Sequence, residues 1–142
     1  MNYDMDKLRT SIKKNEGFRA QAYQDSMGLW TIGYGRLCDK SRPHSGLTEA
    51  EAEYLLTNDI ARVEASLTSA IPWMKSLSDA RQRVLIEMAF QLGVSGTTAF
   101  RQALRAMQAG DWQTAHDQML DSRWARQTPA RAKALAAQML VG

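Results

Sequence analysis

The spacing of apolar residues predicts helices over most of the chain. Met5, Leu8 and Ile12 recur at intervals of three and four, which predicts a helix over residues 5–16 that Gly17 ends. The same spacing predicts helices over residues 48–69, 79–92, 98–107 and 111–120, and from 128 onward. Residues 79–92 are the most apolar of these, which is typical of a helix at the centre of a bundle.

Residues 29–35 follow a different period. Trp30, Ile32 and Tyr34 alternate with Leu29, Thr31, Gly33 and Gly35, as side chains on the two faces of a strand do. Residues 25–28, Asp-Ser-Met-Gly, have the composition of a hairpin loop. The expected fold class is therefore α+β, mainly α, with one small hairpin sheet.

Local signals mark the ends of several helices. Thr48 with Glu51 forms a capping box at the start of the long helix, and Pro72 breaks the pattern after it. Gly93 is expected to end the apolar helix, and Gly110 divides the next two. Thr128 followed by proline is expected to cap the last helix.

Glu16 is the first candidate for chemistry. It takes the next position of the apolar stripe, where an apolar side chain is expected, at the C-terminal end of its helix. Burial and the negative end of the helix dipole both disfavour a charged carboxylate there, as a general acid requires. Asp25 at the turn entrance and Thr31 on the returning strand would add a second acid and a hydroxyl.

This set of groups suits glycoside hydrolysis. Gly33 and Gly35 support it, because two glycines in a strand commonly mark a close approach to the backbone. Taken alone, Asp25 and Thr31 are better explained as an ordinary turn residue and an ordinary strand threonine, whereas Glu16 on the apolar stripe is not explained in this way.

The amino-acid composition limits the class of protein, the targeting segments and the metal sites that can be expected. The chain has 142 residues, 44% hydrophobic and 23% charged, which is ordinary for one globular domain. The first 18 residues are charged throughout and no long apolar run follows, so neither a signal peptide nor a transmembrane anchor is expected. The single Cys38 fits a reducing cytoplasm, and His44 and His116 are too few to suggest a metal site. No cofactor is expected.

The net charge of +3 is unevenly placed. Residues 1–74 carry nine Lys and Arg against ten Asp and Glu, whereas residues 75–142 carry nine against five. A basic second half suits a polyanionic partner, of which bacterial cell wall and nucleic acid are two.

Five segments, taken together, resemble the phage-type lysozymes, the endolysins of T-even and related phages. They are Glu16-Gly17, Tyr23-Gln24-Asp25, Thr31-Ile32-Gly33-Tyr34-Gly35, Phe90 to Gly93, and SRWARQTPARA over residues 122–132. The resemblance implies a single lysozyme domain with a small lobe over about 13–58 and a connecting helix over about 48–69. A second lobe would combine helices over about 72–142 with helix 5–16.

The resemblance also implies roles for individual residues. Glu16 would be the general acid, and Asp25 and Thr31 would hold the attacking water. Arg131 would reach toward Glu16, while Gln91 and Trp124 would form hydrogen bonds near the cleft floor. From the residues alone, Gln91 is equally a satisfied polar group at a helix end, and Trp124 a core anchor.

Two departures from the family pattern stand out. Arg36 occupies a position where many members have histidine, paired with an acid that corresponds to Asp59. Arginine does not titrate near neutrality, so a histidine-based pH dependence is not expected. The polar loop over residues 38–46 is shorter than in related lysozymes, and the usual C-terminal extension is not seen.

The implied activity is that of a muramidase, which hydrolyses the β-1,4 bond between N-acetylmuramic acid and N-acetylglucosamine. A lytic transglycosylase on the same polymer and a non-catalytic basic module for cell wall or nucleic acid are the alternatives. The favoured partner is peptidoglycan and not nucleic acid. A monomer is expected, held in the host cytoplasm until a holin or another route opens access to the periplasmic wall, or else a lysozyme domain of a larger tail or effector protein.

Overall fold

The computed structural model describes residues 1–38 and 47–142. Its elements are α1 (Met5–Glu16), β1 (Arg19–Gln24), β2 (Trp30–Gly33), β3 (Arg36–Leu37), α2 (Glu49–Ala70), a 3₁₀-helix (Pro72–Ser76), α3 (Asp79–Thr98), α4 (Arg101–Ala109), α5 (Trp112–Leu120), α6 (Arg123–Gln127) and α7 (Pro129–Val141). The mainly helical α+β class is confirmed. Residues 39–46, and with them His44 and most of the predicted polar loop, lie outside the described residues.

The described chain divides into two compact units. One comprises Met5–Arg62, called here the hairpin unit. The other comprises Met1–Asp4 and Val63–Gly142, called here the helical unit. This division groups α1 with the hairpin, whereas the sequence-based lobes group it with the later helices; the lobe assignment stays a prediction.

The sheet of the hairpin unit is a three-stranded antiparallel meander. Its order is β1-β2-β3, with Tyr23 opposite Thr31 and Gln24 opposite Trp30. The register shifts between Arg19 and Tyr23, so β1 contains an irregularity before the turn. The predicted hairpin over residues 25–28 is confirmed by the Asp25 amide, which donates to the Leu29 carbonyl at 2.9 Å.

Local hydrogen bonds fix the helix ends of this unit as predicted. Gly17 takes a left-handed φ of 71° and donates its amide to the Lys13 carbonyl at 2.8 Å, which ends α1. At the start of α2 the Thr48 amide donates to Glu51 Oε2 at 2.7 Å, and the Glu51 amide donates to Thr48 Oγ1 at 3.2 Å. The capping box is therefore complete.

The helical unit is organised by α3 and α7. α3 packs on α7, α7 also contacts α5 and α6, and α5 contacts α4. Val84, Leu85, Ile86 and Met88 are the large apolar side chains of α3 that are completely buried. Gly93 leaves helical geometry at φ 77° and ψ 166°, so the regular helix ends where predicted and a further helical turn follows it.

The predicted cap of α5 is confirmed, whereas the predicted cap of α7 is wrong. Asp111 caps α5 by accepting from the Thr114 amide at 3.1 Å. Thr128 occupies the N-cap position of α7, but its hydroxyl donates to the Trp124 carbonyl at 3.0 Å and makes no capping bond. The threonine therefore joins the end of α6 to α7 instead of capping α7.

Arg81 connects α3 to the end of α7. Its guanidinium lies 3.6 Å from the ring centroid of Trp112 and donates to the carbonyls of Met139 and Leu140 at 2.9 and 3.2 Å. These carbonyls belong to the last turn of a helix, where partners within the helix are lacking.

None of the helices within the described residues has the length and hydropathy of a membrane-spanning segment.

Candidate active site

Glu16 lies at the end of α1, half-buried, with its carboxyl group against the backbone of Gly35. A Cβ atom built on Gly35 would lie 2.9 Å from both Cδ and Oε2 of Glu16, and the φ of Gly35 is 78°. Both the contact and the backbone conformation require glycine here. The close approach that the glycines predict is, at Gly35, the approach of the candidate acid itself.

Gly33 makes room for a different neighbour. A Cβ atom there would lie 3.4 Å from Cβ of Ala52, and the φ of Gly33 is 66°. Gly33 therefore lets α2 pack closely on β2. The two glycines thus support the site through the protein's own packing.

Asp25 is held by the turn that it begins. Its Oδ1 accepts the amides of Met27 and Leu29, each at 2.9 Å. Among the described residues, these bonds fall on Oδ1 and none falls on Oδ2. The turn therefore fixes the carboxylate and leaves one oxygen able to accept from another group.

Thr31 lies in β2 and is only 6% exposed. Its hydroxyl donates to the Leu29 carbonyl at 3.3 Å. Since that bond uses its proton, Oγ1 is left as an acceptor. Thr31 stands directly opposite Tyr23, and residues opposite each other in an antiparallel pair project to the same face.

Tyr23 is a site residue that sequence reasoning named only as part of a motif. Burial raises the pKa of Tyr23, and the negative charges of Glu16 and Asp25 raise it further. The Arg19 guanidinium lies 4.8 Å from the centroid of the ring. The phenol is thus within electrostatic reach of both candidate carboxylates. The signal available in the sequence was its place two residues before Asp25.

The predicted partners Arg36 and Asp59 lie close to each other. Arg36 Nη1 is 3.8 Å from Asp59 Oδ1, and the Asp59 side chain is 8% exposed. Arg62, one turn further along α2, bonds to the same oxygen. Asp59 thus lies between two guanidinium groups, of which the sequence indicated one.

Two further predicted residues meet in the helical unit. Trp124 Nε1 donates to Gln91 Oε1 at 2.8 Å. Trp124 is 4% exposed and packs edge-on against Phe100, with 5.9 Å between ring centroids. Gln91 is thus a satisfied polar group and Trp124 a core anchor, and their roles toward substrate stay predictions. The same holds for Arg131, which belongs to this unit while Glu16 belongs to the other.

Within residues 1–38 and 47–142, no group of three or more His, Cys, Asp or Glu side chains could hold a metal ion. The arrangement of Glu16, Asp25 and Thr31 instead offers one half-buried acid and two oxygen acceptors within one unit.

The chain is similar to known proteins over most of its length. Residues 13–138 match the family model described as phage lysozyme. The chain is 32% identical to the pre-baseplate central spike protein Gp5 of Enterobacteria phage T4, over 92% of this chain and 27% of that protein. It is 26% identical to probable T4-type lysozyme 1 of Dictyostelium discoideum over 88% of each chain. An endolysin of Acyrthosiphon pisum secondary endosymbiont phage 1 is 31% identical over 81% of this chain and 75% of its own length.

The chain therefore spans 27% of the spike protein but most of the length of these two other relatives. The family match covers the α1 end, the hairpin and nearly all of the helical unit. The chain belongs to the phage lysozyme family, whose members are glycoside hydrolases that degrade peptidoglycan.

Proposed function

We propose that this protein is a muramidase that hydrolyses the β-1,4 bond between N-acetylmuramic acid and N-acetylglucosamine in peptidoglycan. Glu16 protonates the leaving oxygen, and Asp25 and Thr31 hold the attacking water. The family match supports the reaction class, and the geometry of the hairpin unit supports the assignment of the three roles.

The observation that carries the proposal is the state of the two oxygen atoms near the turn. Asp25 Oδ1 is occupied by two amides, which leaves Oδ2 as an acceptor. The Thr31 hydroxyl donates a hydrogen bond to the Leu29 carbonyl, which leaves Oγ1 as an acceptor. A water between them donates both of its hydrogens. Its oxygen then attacks the anomeric carbon, and Asp25 Oδ2 takes up the proton that the water loses as the new bond forms.

The position of Glu16 at the end of α1 suits the role of general acid. The C-terminal end of a helix disfavours a negative charge, which favours the protonated form that a general acid needs. Gly35 permits the carboxyl group to lie against the backbone. The position of the acid is therefore set by packing, and its proton is directed to the leaving oxygen of the bound sugar.

The two acids acting through a water imply an inverting mechanism. A lytic transglycosylase uses the same acid without a water. The acceptors at Asp25 and Thr31 favour hydrolysis over that alternative.

The biological setting belongs to the same proposal. The protein acts as a monomer on the periplasmic wall, after a holin or another export route releases it from the host cytoplasm. The 31% identity to an endolysin supports this setting. The 32% identity to the spike protein Gp5 supports a second setting, a lysozyme domain that works within a larger phage protein.

A turbidity assay on purified peptidoglycan tests the acid. Glu16→Gln keeps the shape of the side chain and removes the proton, so we expect a loss on the order of 10²–10⁴-fold with an unchanged circular dichroism spectrum. Glu53→Gln is the matched control, because Glu53 lies in α2 of the same unit and pairs with Lys13. A folded Glu16→Gln protein that clears the suspension at the wild-type rate overturns the proposal.

A further inference from the structure

We propose that Tyr23 binds the sugar at the bond to be cleaved, and that its phenol donates a hydrogen bond to an oxygen of that sugar. Tyr23 would then be a substrate-positioning residue in addition to the three groups assigned above. This inference rests on the proposed function, since it uses the positions of the acid and of the water.

The register of the sheet places Tyr23 beside the water site. Tyr23 and Thr31 are direct partners across β1 and β2. Direct partners in an antiparallel pair lie on the same face with Cβ atoms about 4.5–5.5 Å apart. The phenol therefore extends from the same face of the sheet as the hydroxyl that is assigned to the water.

Both candidate acids also influence the Tyr23 phenol. The charges of Glu16 and Asp25 both act on the hydroxyl of Tyr23. In an inverting glycosidase the acid and the water-holding carboxylate lie on opposite sides of the sugar. A phenol that extends from the strand face of Thr31 and responds to both carboxylates is therefore placed to border a sugar bound between them.

The hydroxyl of Tyr23 is also free to serve a ligand. Tyr3 donates its hydroxyl to Glu64, and Tyr34 donates to Glu49 Oε1 at 3.0 Å. Among the described residues, the hydroxyl of the half-buried Tyr23 makes no such bond. A half-buried phenol without a partner gains a hydrogen bond when a sugar oxygen reaches it.

Two features keep this phenol ready as a donor. Burial, Glu16 and Asp25 raise the pKa of Tyr23 against the opposing charge of Arg19, so the hydroxyl keeps its proton at neutral pH. Arg19 lies over the ring at 4.8 Å and restrains its orientation through a cation–π contact. The ring therefore has a contact that holds it, and its hydroxyl remains a donor, before substrate arrives.

The experiment measures binding apart from turnover. Glu16→Gln and the double variant Glu16→Gln/Tyr23→Phe are titrated calorimetrically with a soluble disaccharide-repeat fragment of peptidoglycan. Phenylalanine keeps the ring and its contact with Arg19 but removes the hydroxyl. One lost hydrogen bond predicts an affinity about 2- to 10-fold weaker. In the active background, Tyr23→Phe should lower kcat/KM by a similar factor, mainly through KM.

Tyr34→Phe is the matched control. It removes a phenol from the same segment, but the bond it breaks is to Glu49. It should lower the unfolding midpoint and leave the affinity for the fragment unchanged. Equal losses of affinity in the two variants would overturn a specific role for Tyr23, as would an unchanged affinity and KM in Tyr23→Phe.

The two proposals fail differently. If Glu16→Gln retains wild-type activity, the proposed function is overturned and the role of Tyr23 with it. If Glu16→Gln is inactive while Tyr23→Phe binds and turns over like the wild type, only the role of Tyr23 is overturned.

Discussion

The carboxyl group of Glu16 lies so close to the α-carbon of Gly35 that no side chain fits between them. A methyl group on Gly35 would lie 2.9 Å from Cδ and Oε2 of Glu16 and 3.0 Å from Cγ. The candidate acid and the glycine are 19 positions apart in the sequence, yet each restricts the other. We therefore expect Gly35 to affect catalysis through the position of Glu16.

Gly35→Ala should strongly reduce the rate of peptidoglycan hydrolysis while lowering the free energy of unfolding only moderately. The added methyl group displaces the Glu16 carboxyl group, and a misplacement of about 1 Å can cost roughly 10²-fold in rate. The left-handed backbone adds about 1–2 kcal/mol of destabilisation. Turbidity clearance gives the rate, and urea unfolding gives the stability.

Gly110→Ala separates these two effects. Gly110 has a similar φ of 76° but lies in the helical unit, where a Cβ atom built on it meets only Cζ2 of Trp112, at an ordinary contact distance of 4.0 Å. We expect the same backbone penalty with nearly wild-type activity. If the two variants lose activity equally, the loss comes from the backbone and not from Glu16.

Much of the fold could be predicted because its signals are local. The end of α1 at Gly17 and the capping box of Thr48 and Glu51 each depend on bonds within four residues. Such bonds can be predicted from a few neighbouring residues in the sequence. The helix α6 (Arg123–Gln127) was not predicted, because five residues are too few to show a period.

The site was predicted less completely because its contacts are between distant residues. The sequence indicated a close approach at Gly35 but could not name Glu16 as the approaching group. The position of Tyr23 depends on strand register and on the irregularity of β1, which no local pattern specifies. Arg62 was missed as a partner of Asp59, because a surface arginine on a helix has many possible neighbours.

The effects on stability of replacing Arg36 and Arg62 should depend on each other, because both guanidinium groups pair with Asp59. The side chain of Asp59 is 8% exposed, while those of Arg36 and Arg62 are 38% and 71% exposed. Either Arg→Met variant alone should cost roughly 0–1 kcal/mol, because the other guanidinium still offsets the carboxylate. Removing both leaves a buried charge uncompensated, so the double variant should exceed the sum by about 1 kcal/mol.

Urea unfolding of the two single variants and the double variant checks this prediction. A further cycle of Arg36→Met with Asp59→Asn measures the coupling of the predicted pair itself. Strict additivity of the two arginine variants would show that Asp59 does not depend on them.

Tyr3 should make the stability of the helical unit fall in alkaline solution. Its hydroxyl donates to Glu64, and burial, this bond and the charge of Glu64 raise the pKa of Tyr3. An unfolded tyrosine titrates near pH 10. Because the folded pKa is higher, this contribution to stability is complete below about pH 10 and is lost as pH rises above it.

Tyr3→Phe removes both the bond and its pH dependence. At pH 8 the variant should be less stable by about 1 kcal/mol, and the difference should narrow between pH 10 and about 11.5. Urea midpoints across this range provide the measurement. Tyr54→Phe, at a side chain that is 70% exposed, is the control and should change the midpoint little at pH 8. A constant difference between Tyr3→Phe and wild type at every pH would contradict the assigned interaction.

Thr31→Val should test whether the hydroxyl oxygen holds the water. Valine matches threonine in shape, so the buried position stays filled, but the acceptor is lost. We expect kcat to fall at least about 10-fold while KM changes little, because the lost contact is to the water and not to the sugar. Thr31→Ser keeps the acceptor and should retain more activity than Thr31→Val despite its smaller side chain. The reverse order would indicate that Thr31 serves packing alone.

The stereochemistry of the product provides the most direct test of the water site. A water held by Asp25 Oδ2 and Thr31 Oγ1 would attack from the side of the sugar opposite Glu16, and the β-linked sugar would be released as the α-anomer. An inverting enzyme leaves about 6.5–9.5 Å between its carboxyl groups for that water, whereas a retaining enzyme has about 5–5.5 Å. Asp25 is already bound through Oδ1 to two amides, which suits a fixed acceptor better than a nucleophile that must move to the sugar. Proton NMR of a soluble muropeptide digest should therefore show the α-anomer before mutarotation. A β-anomer formed first would make Asp25 a nucleophile, and a 1,6-anhydro product would show that no water attacks.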